Sequence, residues 1–212
     1  MNRLNIDQYV HDDSNVSVFG LDLSFNPILA ESDANEFLTT LQTECLFKRR
    51  LARPSLGLLS LAQCCLGGDE RQCDAAAAKY ETLFESIARA NVRDLDLDGN
   101  YLGPVVRMLV TELVDRAEDP ERLGGVEALR LGHNGIRDPQ VTFLLPLLNH
   151  CRSLTCLDLS YNNLIQDRGL RNLASGLVYA QKPPGAVLEL HGPHLAGHIG
   201  AGRVHHGEPP AD

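Results

Sequence analysis

Hydrophobic and polar residues follow one spaced pattern that returns along most of the chain. The segment "VRDLDLDGNYL" at 92–102 shows its form: apolar-x-x-Leu-x-Leu-x-x-Asn-x-Leu. Matches begin 28 to 38 residues apart, at Val18, Leu56, Val92, Val126, Leu154 and Gly185. Five of these matches fit the pattern well, although Cys64 takes the place of the Asn in the second match. The sixth match is degraded and has Pro193 at the Asn position. Regularly recurring copies of one pattern indicate one repeated structural unit. Such a unit cannot bury its apolar face alone, so each copy stacks on its neighbours.

Each part of the pattern has a physical reason. Side chains alternate along a strand, so the two leucines of Leu-x-Leu point to one face of a short strand. The Asn follows where the chain turns inward, and its short polar side chain can satisfy backbone groups that the turn leaves buried. The pattern therefore predicts short parallel strands side by side, with every leucine beside its equivalents in the neighbouring repeats.

The segments between the motifs predict helices. Apolar residues at helical spacing occur in 32–47, 69–90, 103–119, 138–151 and 167–181. Ser32 or Asp33 is a suitable N-cap for the first segment, and Pro104 and Pro139 suit first helical positions. Pro146 predicts a kink or an end in the fourth of these helical segments, 138–151. Strands alternating with helices imply right-handed crossovers and a curved array with the strands inside.

These motifs resemble the leucine-rich repeat family, and the long periods with a helix after each strand are most similar to its ribonuclease-inhibitor-like branch. The resemblance implies an α/β fold, a leucine-rich repeat solenoid in a short horseshoe arc with parallel inner strands and outer helices. We expect a polar segment or thin cap at 1–17, an array of about six repeats at 18–195 and a flexible tail at 196–212. Because terminal repeats need polar caps, we also expect a neighbouring molecule to cover at least one end.

The acids of the third repeat admit a different interpretation, a calcium loop. Asp94, Asp96 and Asp98 fall at loop positions 1, 3 and 5, with Gly99 at position 6, as in an EF-hand. Position 12 is Val105, where a calcium loop needs a bidentate carboxylate. We therefore expect no calcium site, and we expect the three carboxylates to lie on the exposed face of the strand.

That exposed face is the expected binding surface, since repeat arrays usually bind partners on their concave side. The position between the two leucines reads Asp22, Ser60, Asp96, Arg130, Asp158 and Glu189. One interpretation is an acidic stripe that binds a basic protein, with Phe25 and Tyr161 as anchors. The other is that Asp is common in such repeats and is simply solvated. The candidate partner-binding residues are Asp22, Phe25, Asp94, Asp96, Asp98, Arg130, His133, Asp158, Tyr161 and Glu189.

Composition and charge narrow the classes of partner. With 212 residues and 43% hydrophobic residues but only 5% aromatics, the chain suits one domain or one short repeat array with a core of leucine. The formal net charge of −9 argues against nucleic acid or an anionic membrane as partner and permits a basic protein. No apolar run approaches the roughly 20 residues of a membrane span. Residues 1–17 show no apolar region of a secretion signal.

Residues that could carry chemistry form no recognisable site. Pro and Gly surround the histidines of the tail, so we expect no specific zinc site among His191, His194, His198, His205 and His206. The six cysteines contain no Cys-x-x-Cys pair, and we expect reduced, mostly buried thiols. No nucleophile elbow, Walker loop, dinucleotide fingerprint or His-Glu-x-x-His is present. The sequence predicts neither an enzyme nor a bound cofactor.

The family resemblance implies a non-enzymatic protein–protein interaction scaffold, a subunit of a larger intracellular assembly. Similar arrays occur in ciliary and axonemal complexes, so a cytoplasmic, cytoskeletal or ciliary location is expected. Two alternatives stay open: a regulator of a small GTPase, similar to the Ran GTPase-activating proteins, and a substrate receptor of a ubiquitin ligase. Arg130 is the one basic residue between paired leucines, which gives the GTPase hypothesis little support. Fold alone does not choose among these functions.

Overall fold

The computed structural model describes residues 19–26, 56–67, 77–89, 92–117, 125–180, 187–191 and 203–205. Its strands form one sheet in chain order. They are β1 Phe19–Asp22, β2 Leu56–Ser60, β3 Val92–Asp96, β4 Ala128–Arg130, β5 Cys156–Asp158, β6 Val187–His191 and β7 Arg203–His205. Strands β1 to β6 are parallel, and β7 is antiparallel to β6. The expected stack of parallel inner strands is confirmed.

Equivalent leucines form continuous rows across the sheet. The first leucines are register partners from strand to strand: Leu21, Leu59, Leu95, Leu129 and Leu157. The second leucines of the motif are also linked from strand to strand. The amides of Leu23, Leu61, Leu97 and Leu131 donate to carbonyls of the next strand at 2.8–3.0 Å. All of these leucines except Leu21 are buried. Full burial of a leucine contributes roughly 1.5–3 kcal/mol, so the rows are the main source of stability.

In the described ranges, four helices cover the opposite side of the sheet. They are α1 Ala77–Arg89, α2 Val106–Ala117, α3 Asp138–His150 and α4 Asp167–Tyr179, and a 3-10 turn at Gly103–Val105 leads into α2. Each helix packs against the next one along the chain. Their inner faces place Phe84, Leu109, Leu144 and Leu177 in one core with the strand leucines. The fold is thus the predicted α/β solenoid, with strands on one side and helices on the other.

A ladder of buried asparagines ties the repeats together. The side-chain oxygen of Asn134 accepts the amides of Asn100 and Leu102, both at 3.1 Å. Its side-chain nitrogen donates to the carbonyls of Leu97 and Gly132 at 3.0 and 2.9 Å. Asn134 therefore satisfies four backbone groups, one of its own repeat and three of the preceding repeat.

The other rungs of this ladder follow the same scheme. Asn162 accepts the amides of Asn134 and Ile136, both at 3.0 Å, and Asn100 accepts those of Cys64 and Leu66. In the second repeat the Cys64 thiol donates to the carbonyl of Leu23 at 3.1 Å. Burial raises the pKa of this thiol, which keeps it protonated and able to donate. The predicted structural role of Cys64 is confirmed.

Neighbouring repeats also share a helix cap. Asp138, in the first turn of α3, accepts the amides of Gln166 and Gly169 through Oδ1, at 2.6 and 3.1 Å. These amides belong to the start of α4, where no helical carbonyl is available to accept them. The carboxylate of one repeat therefore caps the helix of the next, and its charge also suits the positive end of the α4 dipole.

Of the two expectations for Pro146, a kink or an end of the helix, the end is wrong. This proline lies inside α3, and the helix continues past it to His150. An interior proline costs a helix about 3 kcal/mol through a missing amide and a steric clash. Val141, Leu144, Leu147 and Leu148 are all buried on the inner face of α3, and their packing offsets that cost. Tertiary burial therefore overrides the local preference.

The end of the array differs from the sequence alignment. The pattern placed Glu189 beside Asp158, but in the sheet His191 is the partner of Asp158 and Glu189 pairs with Cys156. The prediction was wrong by two residues because the degraded sixth motif, without its Asn, did not fix the register. Within the tail expected to be flexible, 203–205 form β7. The predicted cap at 1–17 and helix at 32–47, with Ser32 and Asp33, lie outside the described residues.

Candidate partner-binding site on the concave face

The concave face of the sheet presents two rows of side chains, defined here by their place in the repeat. The central row lies between the paired leucines and consists of Asp22, Ser60, Asp96, Arg130 and Asp158. The exit row lies just before the ladder asparagines and consists of Phe25, Gln63, Gly99, His133 and Tyr161. The structure thus brings most of the sequence-predicted residues onto one continuous surface from β1 to β5.

Three aspartates of the central row have a local structural role. Asp22, Asp96 and Asp158 each accept, through Oδ1, the amide of the residue two positions on, at 2.9, 3.1 and 2.8 Å. Such side-chain-to-backbone bonds hold the chain where it leaves the strand. This gives a physical reason for Asp at this position of the repeat. These bonds use one oxygen of each carboxylate, Oδ1.

In the fourth repeat the central-row residue is Arg130, whose guanidinium cannot accept the backbone amide that an aspartate accepts in the first, third and fifth repeats. A residue of the neighbouring repeat supplies the acceptor instead. The amide of Gly132, two residues after Arg130, donates to Asp98 Oδ1 of the preceding repeat at 2.6 Å. Gly132 makes room for this bond, since a Cβ there would stand 3.1 Å from both Asp98 oxygens. The Arg130 guanidinium itself pairs with Asp94. Arg130 is therefore engaged within the sheet, which gives no support to a GTPase-activating role.

The carboxylates of this face differ in their protonation equilibria. Burial raises the pKa of the Asp98 carboxyl, and the nearby charges of Asp96 and Asp158 raise it further. The Gly132 amide and Arg130 partly oppose this rise. The hydrogen bonds from Ser24 instead lower the pKa of the exposed Asp22 carboxyl. The centre of the face therefore concentrates negative charge, which a cation would relieve.

A chain of hydroxyls links the first three strands. Ser24 Oγ lies 2.7 Å from Ser60 Oγ, and Ser60 donates to Asp96 Oδ2 at 3.1 Å. Ser60 is buried in the central row, although a serine between two leucines gave no signal in the sequence. Asp96, one of the candidate binding residues, therefore accepts hydrogen bonds at both carboxylate oxygens, from Ser60 at Oδ2 and from the Asp98 amide at Oδ1.

Every member of the exit row has a left-handed backbone. Their φ angles are 63° at Phe25, 54° at Gln63, 68° at Gly99, 52° at His133 and 58° at Tyr161. A non-glycine residue loses roughly 1 kcal/mol in this conformation. The turn imposes it, since the amide of each row member from Phe25 to His133 donates to a carbonyl of the next repeat at 2.8–2.9 Å. Sequence spacing located the row but did not indicate its backbone.

Aromatic side chains on this row are exposed. Phe25 is 71% exposed and Tyr161 is 57% exposed. The rings of His133 and Tyr161 stack, with centroids 4.1 Å apart and an 11° angle between planes. Tyr101, which follows the ladder residue Asn100 and was not predicted as a site residue, adds a third exposed aromatic side chain at 65%. Its position outside the strand pattern gave no reason to select it.

The described carboxylates and histidines show no metal-binding geometry. Among side chains in the described ranges, no group of three or more His, Cys, Asp or Glu is arranged to hold a metal ion. Asp94 pairs with Arg130, Asp96 with Ser60 and Asp98 with Gly132, so the three acids of the third repeat do not converge. Of the tail histidines, 191 and 205 lie in β6 and β7, and His194, His198 and His206 lie outside the described residues.

Within the part of the chain that the structure describes, no helix has the length and apolar character needed to cross a membrane.

Comparison with known proteins identifies the repeat independently. Residues 150–174, which contain β5 and the first part of α4, match the family model described as Leucine Rich repeat. The chain is similar to a Tonsoku-like protein of Danio rerio, with 29% identity over an alignment of 195 residues; the match covers 84% of this chain and 13% of that protein. The chain thus spans a small part of the length of this relative. No solved structure matches the chain. The leucine-rich repeat prediction is confirmed at the level of the fold.

Proposed function

We propose that this chain is a non-enzymatic protein-interaction module of the ribonuclease-inhibitor-like type, and that its concave face binds a basic segment of a partner within a larger assembly. The leucine-rich repeat match and the solenoid fold support protein binding. The single observation that carries the proposal is Phe25, an exposed aromatic residue in a left-handed conformation. Neither burial nor backbone preference favours Phe there, and a role as a binding anchor would give it a physical reason.

Charge on the same face indicates the chemistry of the partner. Among the residues described from β1 to β5, it carries five carboxylates and one guanidinium, those of Asp22, Asp94, Asp96, Asp98, Asp158 and Arg130. Arg130 neutralises one of them, Asp94, and leaves an excess of negative charge. Complementary lysines or arginines on a partner would accelerate association and favour this partner over acidic ones. The net charge of −9 acts in the same direction.

The size of the face fits an extended segment. Phe25 and Tyr161 belong to the first and fifth repeats, so they stand about four strand spacings, or roughly 19 Å, apart. An extended peptide of about six residues covers that distance. Aromatic anchors at the two ends and carboxylates between them suit a segment with basic residues in its middle and apolar residues at its ends.

The test separates charge from structure at two central aspartates. Asp96→Asn with Asp158→Asn removes both charges but keeps the Oδ1 acceptors of the strand exits, whereas the Lys pair removes both features. We expect affinity capture of the main partner to fall with the Asn pair and to fall further with the Lys pair. Asp115→Lys, an exposed site on α2, is the control and should leave capture unchanged. Unchanged capture by the Asn pair would place the interface elsewhere.

Phe25→Gly provides a second arm. Glycine adopts the left-handed conformation at no steric cost, so the free energy of unfolding should stay constant or rise by about 1 kcal/mol. Capture of the partner should nevertheless weaken. A loss of stability without a loss of capture would assign Phe25 to the fold and would remove the observation on which the proposal stands.

The cytoplasmic, cytoskeletal or ciliary location, the covering of the array ends by a neighbour and the place in a particular assembly stay predictions from the family resemblance. Microscopy of the tagged full chain in ciliated cells would test the location. Diffuse signal with no enrichment at cilia or cytoskeleton would remove the ciliary and cytoskeletal hypotheses and keep the module itself.

A further inference from the structure

Exposed aromatic side chains mark the strand exits of every second repeat. Phe25 lies in the first repeat, Tyr101 in the third and Tyr161 in the fifth, and all three are exposed. Phe25 and Tyr161 belong to the exit row, and Tyr101 lies two residues after the exit-row glycine of its repeat. His133 of the fourth repeat stacks on Tyr161 and belongs to the same aromatic group. Three aromatic groups therefore follow one another along the edge of the sheet where the strands end.

The backbone at these three residues favours glycine over an aromatic side chain. The φ angles are 63° at Phe25, 57° at Tyr101 and 58° at Tyr161, a left-handed conformation in which a residue with a Cβ is strained. Burial does not offset this strain, because each side chain is more than half exposed. A bound partner that covers the rings would give aromatic residues a function at all three positions.

The surface around the rings is uncharged. It consists of the exit row and of an outer row two residues further along each turn, whose exposed members are Cys65, Tyr101, Gly135 and Asn163. These two rows are called the rim below. No described member of the rim is Asp, Glu, Lys or Arg, although such residues make up 22% of the chain. The rim presents rings together with the hydrogen-bonding groups of tyrosine, glutamine and asparagine side chains. It therefore suits an uncharged side of a partner segment, with apolar side chains and backbone carbonyls.

The spacing of the rings matches a polyproline II helix. Neighbouring strands stand about 4.8 Å apart, so residues on alternate repeats are separated by roughly 9.6 Å. A polyproline II helix has about three residues per turn and rises roughly 9.3 Å in each turn. Its first, fourth and seventh residues therefore lie on one side, at the separations of Phe25, Tyr101 and Tyr161. A β-strand does not fit, because residues on one side of it recur every ~6.7 Å.

We propose that the rim binds a polyproline II segment of the partner that has a proline at every third position, one at each of Phe25, Tyr101 and Tyr161. The assignment rests on the proposed function, because it names the conformation and the spacing of the segment that the concave face binds. Prolines pack on aromatic rings, and a segment already in this conformation loses little entropy on binding. One of the other two columns of the helix then faces the central row, where basic side chains meet the carboxylates.

The experiment compares three labelled peptides, and fluorescence anisotropy at constant ionic strength measures their binding to the full chain. The spaced peptide repeats Pro-Arg-Ala three times. The clustered peptide has the same composition with its prolines in one run, so it keeps the charge but can meet only one ring. We expect the clustered peptide to bind roughly tenfold more weakly, because two of three ring contacts are lost. An uncharged peptide that repeats Pro-Gln-Ala three times should also bind more weakly than the spaced peptide, because it lacks the attraction to the carboxylates.

Tyr101→Gly removes the middle ring, and Cys65→Gly is the matched control. Both residues are exposed members of the outer row with left-handed φ angles, 57° and 54°, which glycine adopts without strain. Cys65 belongs to the second repeat, so it lies out of step with the rings. We expect the preference for the spaced over the clustered peptide to fall to roughly threefold in Tyr101→Gly, since one of its two additional ring contacts is lost. The preference should stay unchanged in Cys65→Gly.

The outcomes separate the rim from the proposed function. Equal binding of the spaced and clustered peptides by the unaltered chain would overturn the polyproline II segment and leave the basic partner in place. The inference also fails if Tyr101→Gly keeps the full preference, or if Cys65→Gly loses it equally. Equal binding of the spaced and uncharged peptides would overturn the basic partner and keep the rim. Binding of none of the three peptides would overturn both.

Discussion

Replacing Asn134 by alanine tests the ladder that joins the repeats. Asn134 is fully buried and makes four hydrogen bonds to backbone groups, two as acceptor and two as donor. Alanine leaves the amides of Asn100 and Leu102 and two carbonyls without this partner. At about 1 kcal/mol for each bond, the free energy of unfolding should fall by about 4 kcal/mol. That is a large part of the total for a domain with a stability of about 5–15 kcal/mol.

Urea unfolding followed by far-ultraviolet circular dichroism measures this change. The midpoint should move to lower urea while the dependence on urea stays constant, because the same surface is exposed on unfolding. Asn163→Ala is the control: it is the same substitution one residue after the ladder residue Asn162, at an exposed position, and should change stability by less than about 0.5 kcal/mol. A loss below about 1 kcal/mol for Asn134→Ala would refute the reasoning, since water or a local shift would then replace the ladder.

Substitutions at three further positions test separate parts of the account. Pro146→Ala should raise the free energy of unfolding by about 1–3 kcal/mol in urea melts, because it removes an interior proline from α3. The control Pro104→Ala, in the turn before α2, should not raise it. A fall in the free energy of unfolding for Pro146→Ala would contradict the conclusion that packing offsets the cost of the proline. Asp138→Ala should lower the free energy of unfolding by about 1–2 kcal/mol, and Asp138→Asn should lower it by less, because Asn keeps an oxygen that can cap α4. Equal losses for the two variants would show that Asp138 does not act as the cap of α4. The pKa of Asp98 is raised in the folded state, so its contribution favours folding below its ordinary pKa and is lost as pH rises through the raised value. Asp98→Asn should therefore gain stability relative to the unaltered chain as pH rises toward neutrality. Urea melts of both chains across that pH range measure the difference in their free energies of unfolding. A difference that does not change with pH would contradict the raised pKa of Asp98.

The regular part of the fold could be predicted because the same pattern recurs in each repeat. The positions of Leu59, Leu95, Leu129 and Leu157 follow from period-two alternation, and stacking forces equivalent residues into register. The helices after each strand follow from apolar spacing. The continuous helix through Pro146 was not predicted because burial of one helix face outweighs a local rule. Glu189 was misplaced because the last repeat lacks the Asn that fixes the turn.

The candidate site was predictable only in outline. Alternation showed which residues face outward, so the central row of aspartates could be named from the sequence. Its hydrogen bonds could not, because they depend on neighbours in other repeats: Asp98 reaches Gly132, and Ser60 reaches Asp96. The stack of His133 on Tyr161 needs the same spatial information. Residues 28 or more positions apart become neighbours only after the rungs are stacked.

Side-chain oxidation footprinting with and without the captured partner tests most directly whether the concave face is the binding surface. Tyr161 on that face and Tyr179 at the end of α4 form a matched pair, 57% and 79% exposed in the chain alone. We predict that the partner lowers the oxidation rate of Tyr161 and Phe25 severalfold and leaves that of Tyr179 unchanged. Protection of Tyr179 with continued oxidation of Tyr161 and Phe25 would contradict the account and would place the partner on the helices.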